Sequence, residues 1–263
     1  MKSILEFSAA HAARRPIVMT TAYDALMARH AARAGIDALL VGDSVAMTVH
    51  GFPSTVHATL EMMVAHTAAV RRGAPELVVV ADLPFLAHRR GRQLAVEAAG
   101  ALVQAGATAV KLEGVAGHEE VIAHLVGSGI PVMGHLGLTP QSIHQLGGYR
   151  VQGRSLDEAD DIRADARRAA DLGVFAVVLE CVPAALAAAI TAELPVPTIG
   201  IGAGLETAGQ VLVVTDLLGL DPEFRPKFVR RYADGARLVQ DALAAYAADV
   251  RAAKFPAAAE VLA

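Results

Sequence analysis

Five acidic or basic side chains each follow a short apolar run: Asp43 after Ala38–Gly42, Asp82 after Leu77–Ala81, Lys111 and Glu113 within Ala109–Glu113, and Glu180 ending Phe175–Glu180. His135 closes a fifth run in the same way, Pro131–His135, and Ser44 follows Asp43 directly. Taken singly, each has an ordinary explanation. An Asp after a strand is usually a turn former or helix cap, a lone His is more often a satisfied core group, and a Lys–Glu pair can be an interior ion pair of little net value. Together they need another explanation, because polar ends on consecutive parallel strands meet at one rim. Converging carboxylates repel unless a proton or cation intervenes. Oxygen donors without a Cys/His cluster select a hard cation such as Mg²⁺ or Mn²⁺ over Zn²⁺. Side chains alternate along a strand, so Lys111 and Glu113 share the inner face while Val110 and Leu112 pack outward. Glu180 ends the most apolar run, and desolvation makes a carboxylate a better base; it is the candidate proton acceptor.

The elements that must carry these groups are legible as alternation. Strands are expected near Ile17–Thr21, Ala38–Gly42, Leu77–Ala81, Ala109–Glu113, Pro131–His135, Phe175–Glu180, Val196–Gly200 and Val211–Val214, as continuous apolar runs of the kind found where both sheet faces are covered. Helices are expected at Asp24–Ala34, Thr59–Arg72, Arg92–Ala105, His118–Gly127, Leu156–Leu172 and Pro183–Thr191, weakly at Glu206–Gly209, and as a closing amphipathic stretch over Lys227–Lys254. About eight strand–helix units in 263 residues favour a closed (β/α)₈ barrel spanning 1–263 as one domain, ahead of an open doubly wound sheet. Two connections are long, Asp43–Ala58 and Gly137–Arg154; both leave the C-terminal ends of strands, where barrel enzymes carry their sites.

Composition narrows the function classes. The chain is 54% hydrophobic and 19% charged with net charge -4, which offers no electrostatic footprint for nucleic acid. No run approaches the roughly 20 apolar residues of a membrane span, and Met1 to Arg15 lacks the apolar core of a signal peptide. The single cysteine, Cys181, fits a reducing cytoplasm and reads as a small buried hydrophobe rather than a nucleophile. Only four of the 23 basic residues are lysines, which makes Lys111 in an apolar run less incidental. Gly200-Ile-Gly202-Ala-Gly204 lacks dinucleotide-loop spacing and reads as a tight turn. The remaining histidines, among them His50, His57, His66, His88 and His118, show no ligand spacing, and most are expected on the surface.

In order and spacing, these strand ends resemble the ketopantoate hydroxymethyltransferase (3-methyl-2-oxobutanoate hydroxymethyltransferase) family. The resemblance runs from Thr21-Ala-Tyr-Asp24 to about Lys227. It is carried by Val41-Gly-Asp-Ser44, Arg71-Arg-Gly-Ala-Pro75, Ala81-Asp-Leu-Pro84, Val110-Lys-Leu-Glu-Gly114, Gly134-His-Leu-Gly-Leu-Thr-Pro-Gln-Ser142, Gly147-Gly-Tyr-Arg-Val-Gln-Gly-Arg154, Leu179-Glu-Cys-Val-Pro183 and Ile199-Gly-Ile-Gly-Ala-Gly204. It implies a TIM barrel of the phosphoenolpyruvate/pyruvate type, one Mg²⁺ per subunit, and hydroxymethyl transfer from the co-substrate 5,10-methylenetetrahydrofolate to 3-methyl-2-oxobutanoate, giving 2-dehydropantoate. Carried over, it makes Asp43, Asp82 and Glu113 the metal positions and Asp43, Ser44, Asp82 and Lys111 the oxo-acid contacts, with His135 a further candidate contact. Glu180 becomes the proton acceptor. It also implies a cytoplasmic homodecamer. Rival readings are a metal-dependent carbon–carbon lyase, although no Lys-Cys-Gly-His run is present, a Schiff-base aldolase using Lys111, and a non-catalytic ligand-binding barrel.

Overall fold

A computed structural model describes residues 1–261; Leu262 and Ala263, which fall within the expected span 1–263, lie outside the described residues. Eight parallel strands close in sequence order: β1 (Ile17–Thr21), β2 (Ala38–Val41), β3 (Val78–Asp82), β4 (Ala109–Glu113), β5 (Val132–Gly137), β6 (Ala176–Glu180), β7 (Thr198–Ile201) and β8 (Gly209–Leu212). The pairing β1 to β8 seals the ring, so the open sheet is excluded. The helices are α1 (Leu5–Ala12), α2 (Ala25–Arg33), α3 (Val45–Thr48), α4 (Leu60–Gly73), α5 (Arg92–Gln104), α6 (Glu119–Gly127), α7 (Ile143–Leu146), α8 (Leu156–Asp171), α9 (Ala184–Glu193), α10 (Val214–Leu217) and α11 (Gly235–Arg251). The chain divides into two compact units, Met1–Val213 with every strand, and a second beginning at Val214 that carries α10 and α11.

Local chemistry sets the helix starts. Asp24 and Thr59 accept hydrogen bonds from the Met27 and Met62 amides, and Ser155 with Glu158 forms a reciprocal capping box. No helix forms at Glu206–Gly209. β8 begins at Gly209, where a Cβ would crowd the Ile17 carbonyl at 2.5 Å, so the glycine expected to end a weak helix is instead required for strands β1 and β8 to close together.

The barrel core shows the alternation directly. Its inner cluster takes Ile17 and Met19, Ala38 and Leu40, Val78 and Val80, Ala109, Met133, Ala176 and Val178, Ile199 and Ile201, and Val211. Counting two residues onward along four strands reaches Asp82, Lys111 and then Glu113, His135, and Glu180. The barrel interior is thus one stack of layers, apolar below and ionisable on top. α1 adds Phe7 and Ala10 to the apolar cluster, and the Phe7 ring meets Phe175 edge-on at 5.3 Å. Arg71 locks the start of β3 and β4 by donating to the carbonyls of Gly106, Ala74, Pro75 and Leu77 and to Thr108 Oγ1.

Candidate active site

The register places the polar layer in contact. Asp82 pairs with Lys111 across β3 and β4, and Glu113 with His135 across β4 and β5. Lys111 Nζ lies 3.0 Å from Asp82 Oδ1 and 3.2 Å from His135 Nδ1. His135 Nδ1 is 3.5 Å from Glu113 Oε1, and its Nε2 is 3.1 Å from Glu180 Oε2. Asp43 joins from the loop after β2, its backbone N–H donating to Asp82 Oδ2 at 3.0 Å. Ser44 sits at the head of α3, its Oγ 2.8 Å from the Tyr23 hydroxyl. All seven residues singled out from sequence therefore lie around one barrel mouth.

Glu180 corrects one expectation. Its side chain is 15% exposed, against 2% to 5% for Glu113, His135, Asp82 and Lys111, so it is the least desolvated acid of the group rather than the most. Its backbone is held tightly. The Glu180 carbonyl accepts from Leu138 N, the next residue donates to Ile201 O, and Cys181 sits at a left-handed φ of 47°. A Cβ at Gly137, whose φ is 88°, would collide with the Glu180 carbonyl, so only glycine lets β5 end against it. Burial and then the Glu180 charge push the Cys181 thiol up to about 11, leaving it a protonated, inert group.

Charge is unbalanced here: Asp43, Asp82, Glu113 and Glu180 face Lys111 and His135. Burial, then Asp82 and Glu113, raises Asp43 well above the usual carboxylate range. Burial also raises Asp82, against the opposing pull of Lys111. For Lys111, burial is outweighed by Asp82, Glu113 and Asp43, which hold it charged. A lysine so held is a poor amine nucleophile, which argues against the Schiff-base reading. Burial and Lys111 press His135 down, but Glu113 and Glu180 on either side lift it to about 9. Glu113 stays low because His135, Lys111 and the Gln141 amide outweigh its burial.

Two residues that sequence reading missed organise the acids. Gln141 is buried, donates its side-chain amide to Asp43 Oδ2 (2.8 Å) and to the Leu83 carbonyl (2.9 Å), and donates its backbone N–H to Glu113 Oε2 (2.9 Å). Tyr23 positions Ser44. Both lie inside the quoted motifs, yet their contacts reach 98 and 21 residues along the chain; nothing local signals them. Among the other histidines, His88 departs from the surface expectation: it is fully buried, its Nε2 is 3.0 Å from the Glu113 carbonyl, and burial takes it down to about 4.

A sequence model described as ketopantoate hydroxymethyltransferase matches residues 2–258. The chain belongs to the ketopantoate hydroxymethyltransferase family. Relatives named 3-methyl-2-oxobutanoate hydroxymethyltransferase include one from Moorella thermoacetica, 56% identical over 91% of this chain and 90% of its own length. Another, from Bdellovibrio bacteriovorus, is 49% identical over 97% of both chains. Among solved structures, the fold is shared with a putative phosphonomutase from Burkholderia cenocepacia (TM-score 0.64, 20% identity, 81% of this chain and 93% of that one). A phosphonopyruvate hydrolase solved with oxalate and Mg²⁺ gives a TM-score of 0.66 at 11% identity over 100% of this chain and 92% of that one. Membership in the hydroxymethyltransferase family makes the barrel a transferase. Among the described residues, no three His, Cys, Asp or Glu side chains gather as a metal cage, and no helix is long and apolar enough to cross a membrane.

Proposed function

We propose that this chain transfers a hydroxymethyl group from 5,10-methylenetetrahydrofolate to 3-methyl-2-oxobutanoate, forming 2-dehydropantoate, the first committed step towards pantothenate and coenzyme A. The observation that carries this reading is the polar layer itself: Asp43, Asp82, Lys111, Glu113, His135 and Glu180 around one mouth, with Ser44 at its edge.

The donors fit Mg²⁺. Mg²⁺ is held through one or two carboxylates and keeps further positions for substrate and water, so no closed cage of three or more side chains is needed. Burial raises both Asp43 and Asp82, with Asp82 and Glu113 adding to the rise at Asp43, and a bound cation favours the ionised form of each. Asp82 Oδ1 is buried and makes no hydrogen bond of good angle, meeting Lys111 only as an ion pair. Asp43 and Asp82 are the direct ligands in this reading; Glu113, whose oxygens already face His135 and the Gln141 amide, acts through water. When bound, Mg²⁺ supplies Lewis-acid polarisation of the keto oxygen. An architecturally similar hydrolase binds oxalate with Mg²⁺, and oxalate carries the same adjacent oxygens as a 2-oxo acid.

The chain's own groups supply the rest. Lys111 pairs with the substrate carboxylate as a point charge, and Ser44, fixed by Tyr23, donates to it. Glu180, the least enclosed acid, takes the proton from C3, with His135 Nε2 3.1 Å from its Oε2. C3 then bonds to the one-carbon unit; water supplies the hydroxyl oxygen and tetrahydrofolate leaves. By family resemblance the protein is a cytoplasmic homodecamer; in the second unit, α11 exposes Leu238, Leu243, Tyr246 and Val250, an apolar surface that supports association between copies. Turnover of the two substrates with Mg²⁺, abolished by chelator and restored by added Mg²⁺, is the expected result. Undiminished turnover after complete chelation contradicts the metal assignment, and no turnover under any condition contradicts the activity.

A further inference from the structure

The turn that follows β3 carries two unfavourable features that the chemistry above leaves unexplained. Leu86 has φ of 63°, in the left-handed region that non-glycine residues seldom adopt, and it heads a single 3₁₀ turn, Ala87–Arg89. Inside that turn His88 is fully buried, and its Nδ1 meets no hydrogen-bond partner among the described residues. A buried acceptor left unpartnered disfavours the fold, whereas an apolar side chain of similar size would carry no such penalty. Strain and an orphaned atom within three residues point to a role outside packing.

Both features end at the Glu113 carbonyl. Leu83 N–H donates to Lys111 O at 2.8 Å, continuing the β3–β4 ladder one step past Asp82. Two residues along β4, the Glu113 carbonyl points to the same edge and would take the next amide. The chain has turned away by then, closed into a bend by the Ala87 N–H on the Pro84 carbonyl (2.9 Å). Side chains from the bend fill the place instead: His88 Nε2 lies 3.0 Å and Arg89 Nη2 3.2 Å from the Glu113 carbonyl. An uncharged imidazole that donates through Nε2–H must leave Nδ1 bare, so the orphaned atom follows from this bond. The His118 ring packs edge-on against His88 at 5.3 Å. The Glu113 carboxylate faces inward, to His135 at 3.5 Å and the Gln141 N–H at 2.9 Å, and both contacts depend on where the end of β4 is held.

We infer that His88 is a positioning residue: its imidazole stands in for the missing ladder amide and fixes the end of β4, so that the Glu113 carboxylate stays aimed into the mouth. The inference rests on the hydroxymethyl-transfer reading only for the use of that carboxylate, a water-mediated hold on Mg²⁺. Wild type, His88→Leu and His88→Gln are compared as metal-free full chains. Calorimetry with Mg²⁺ is one readout; the other is hydrogen exchange at the Gln141 amide, which reports the Glu113 carboxylate without metal or substrate. His88→Leu is expected to weaken Mg²⁺ binding about tenfold and to speed exchange at Gln141, with a melting temperature near that of wild type. His88→Gln, whose Nε2 donates as the imidazole does, should restore both to within about threefold of wild type. Wild-type Mg²⁺ affinity and Gln141 protection in His88→Leu overturn the assignment. Equal losses in the Leu and Gln variants, or a Leu variant that does not fold, make His88 a packing residue and overturn it too. Wild type that binds no Mg²⁺ counts against the metal assignment, and exchange at Gln141 then judges His88 alone.

Discussion

The two ends of one barrel interior are built on the same alternation and do opposite things. At the floor, the inward positions are Ile17, Ala38, Val78, Ala109 and Ala176, closed by Phe7 and Phe175. At the mouth, the same faces of β3 to β6 present Asp82, Lys111, Glu113, His135 and Glu180. The floor lowers the free energy of the folded chain by burying apolar area. The mouth gathers four carboxylates around Lys111 and His135, a buried charge cluster that disfavours the metal-free fold and is retained for chemistry. Stability and activity should therefore respond to substitution in opposite halves of a single stack.

The largest separation is expected from Asp43→Asn. It removes one of two crowded charges, so turnover should fall on the order of 10³-fold, the several kcal/mol ascribed to lost metal polarisation. The metal-free protein should melt at the same temperature as wild type or higher. A lower melting temperature with turnover preserved would reverse the roles assigned to the two ends. At the floor, Phe7→Ala opens a cavity against Phe175 and should cost about 3–5 kcal/mol by denaturant unfolding. Its kcat should stay within a few-fold of wild type under conditions where it remains folded; a large loss of kcat would mean the floor reaches the chemistry.

An intermediate effect sharpens the comparison. Gln141→Ala leaves every ionisable group in place and keeps the backbone N–H that serves Glu113, but it removes the side-chain amide from Asp43 and from the Leu83 carbonyl. A residue acting through ligands typically costs 10–100-fold when removed, here in Mg²⁺ affinity measured by calorimetry as well as in kcat. Unaltered Mg²⁺ affinity would reduce Gln141 to a loop tether. The smallest effect concerns Cys181. With its thiol near 11, only about one part in a thousand is thiolate at pH 8. Alkylation of the native protein should be negligible at pH 7.5 and rise about tenfold per pH unit as pH approaches 10. Rapid labelling at neutral pH would show that this strand end is not packed as described.

Much of this division was readable in the chain, for a physical reason. Strands covered on both faces are continuous apolar runs, and a period of two carries the inward face past the last apolar residue to the first polar one; Val80 to Asp82 and Val178 to Glu180 need no other information. What escaped lies where local pattern has no purchase. α1, whose Phe7 and Ala10 plug the floor, sits in an N-terminal segment without a clean helical period. α3 and α7 are four residues each, too short to show one. Gly209 reads as the end of a weak helix until β1 is placed against it. Gln141 and Tyr23 act across the fold, and Glu180 looked desolvated because its strand is apolar, although its side chain emerges at the open rim.

That rim position is what the account assigns to the base, and one measurement addresses it directly. 3-Methyl-2-oxobutanoate incubated with Mg²⁺ and enzyme in deuterated water, without folate, should exchange its C3 proton. In Glu180→Gln, with the oxo acid still bound, exchange should fall by about 10²–10⁴-fold, the usual contribution of a general base. Exchange at the wild-type rate in Glu180→Gln would contradict the assignment of the proton to Glu180 and, with it, the separation of base from metal ligands at the mouth.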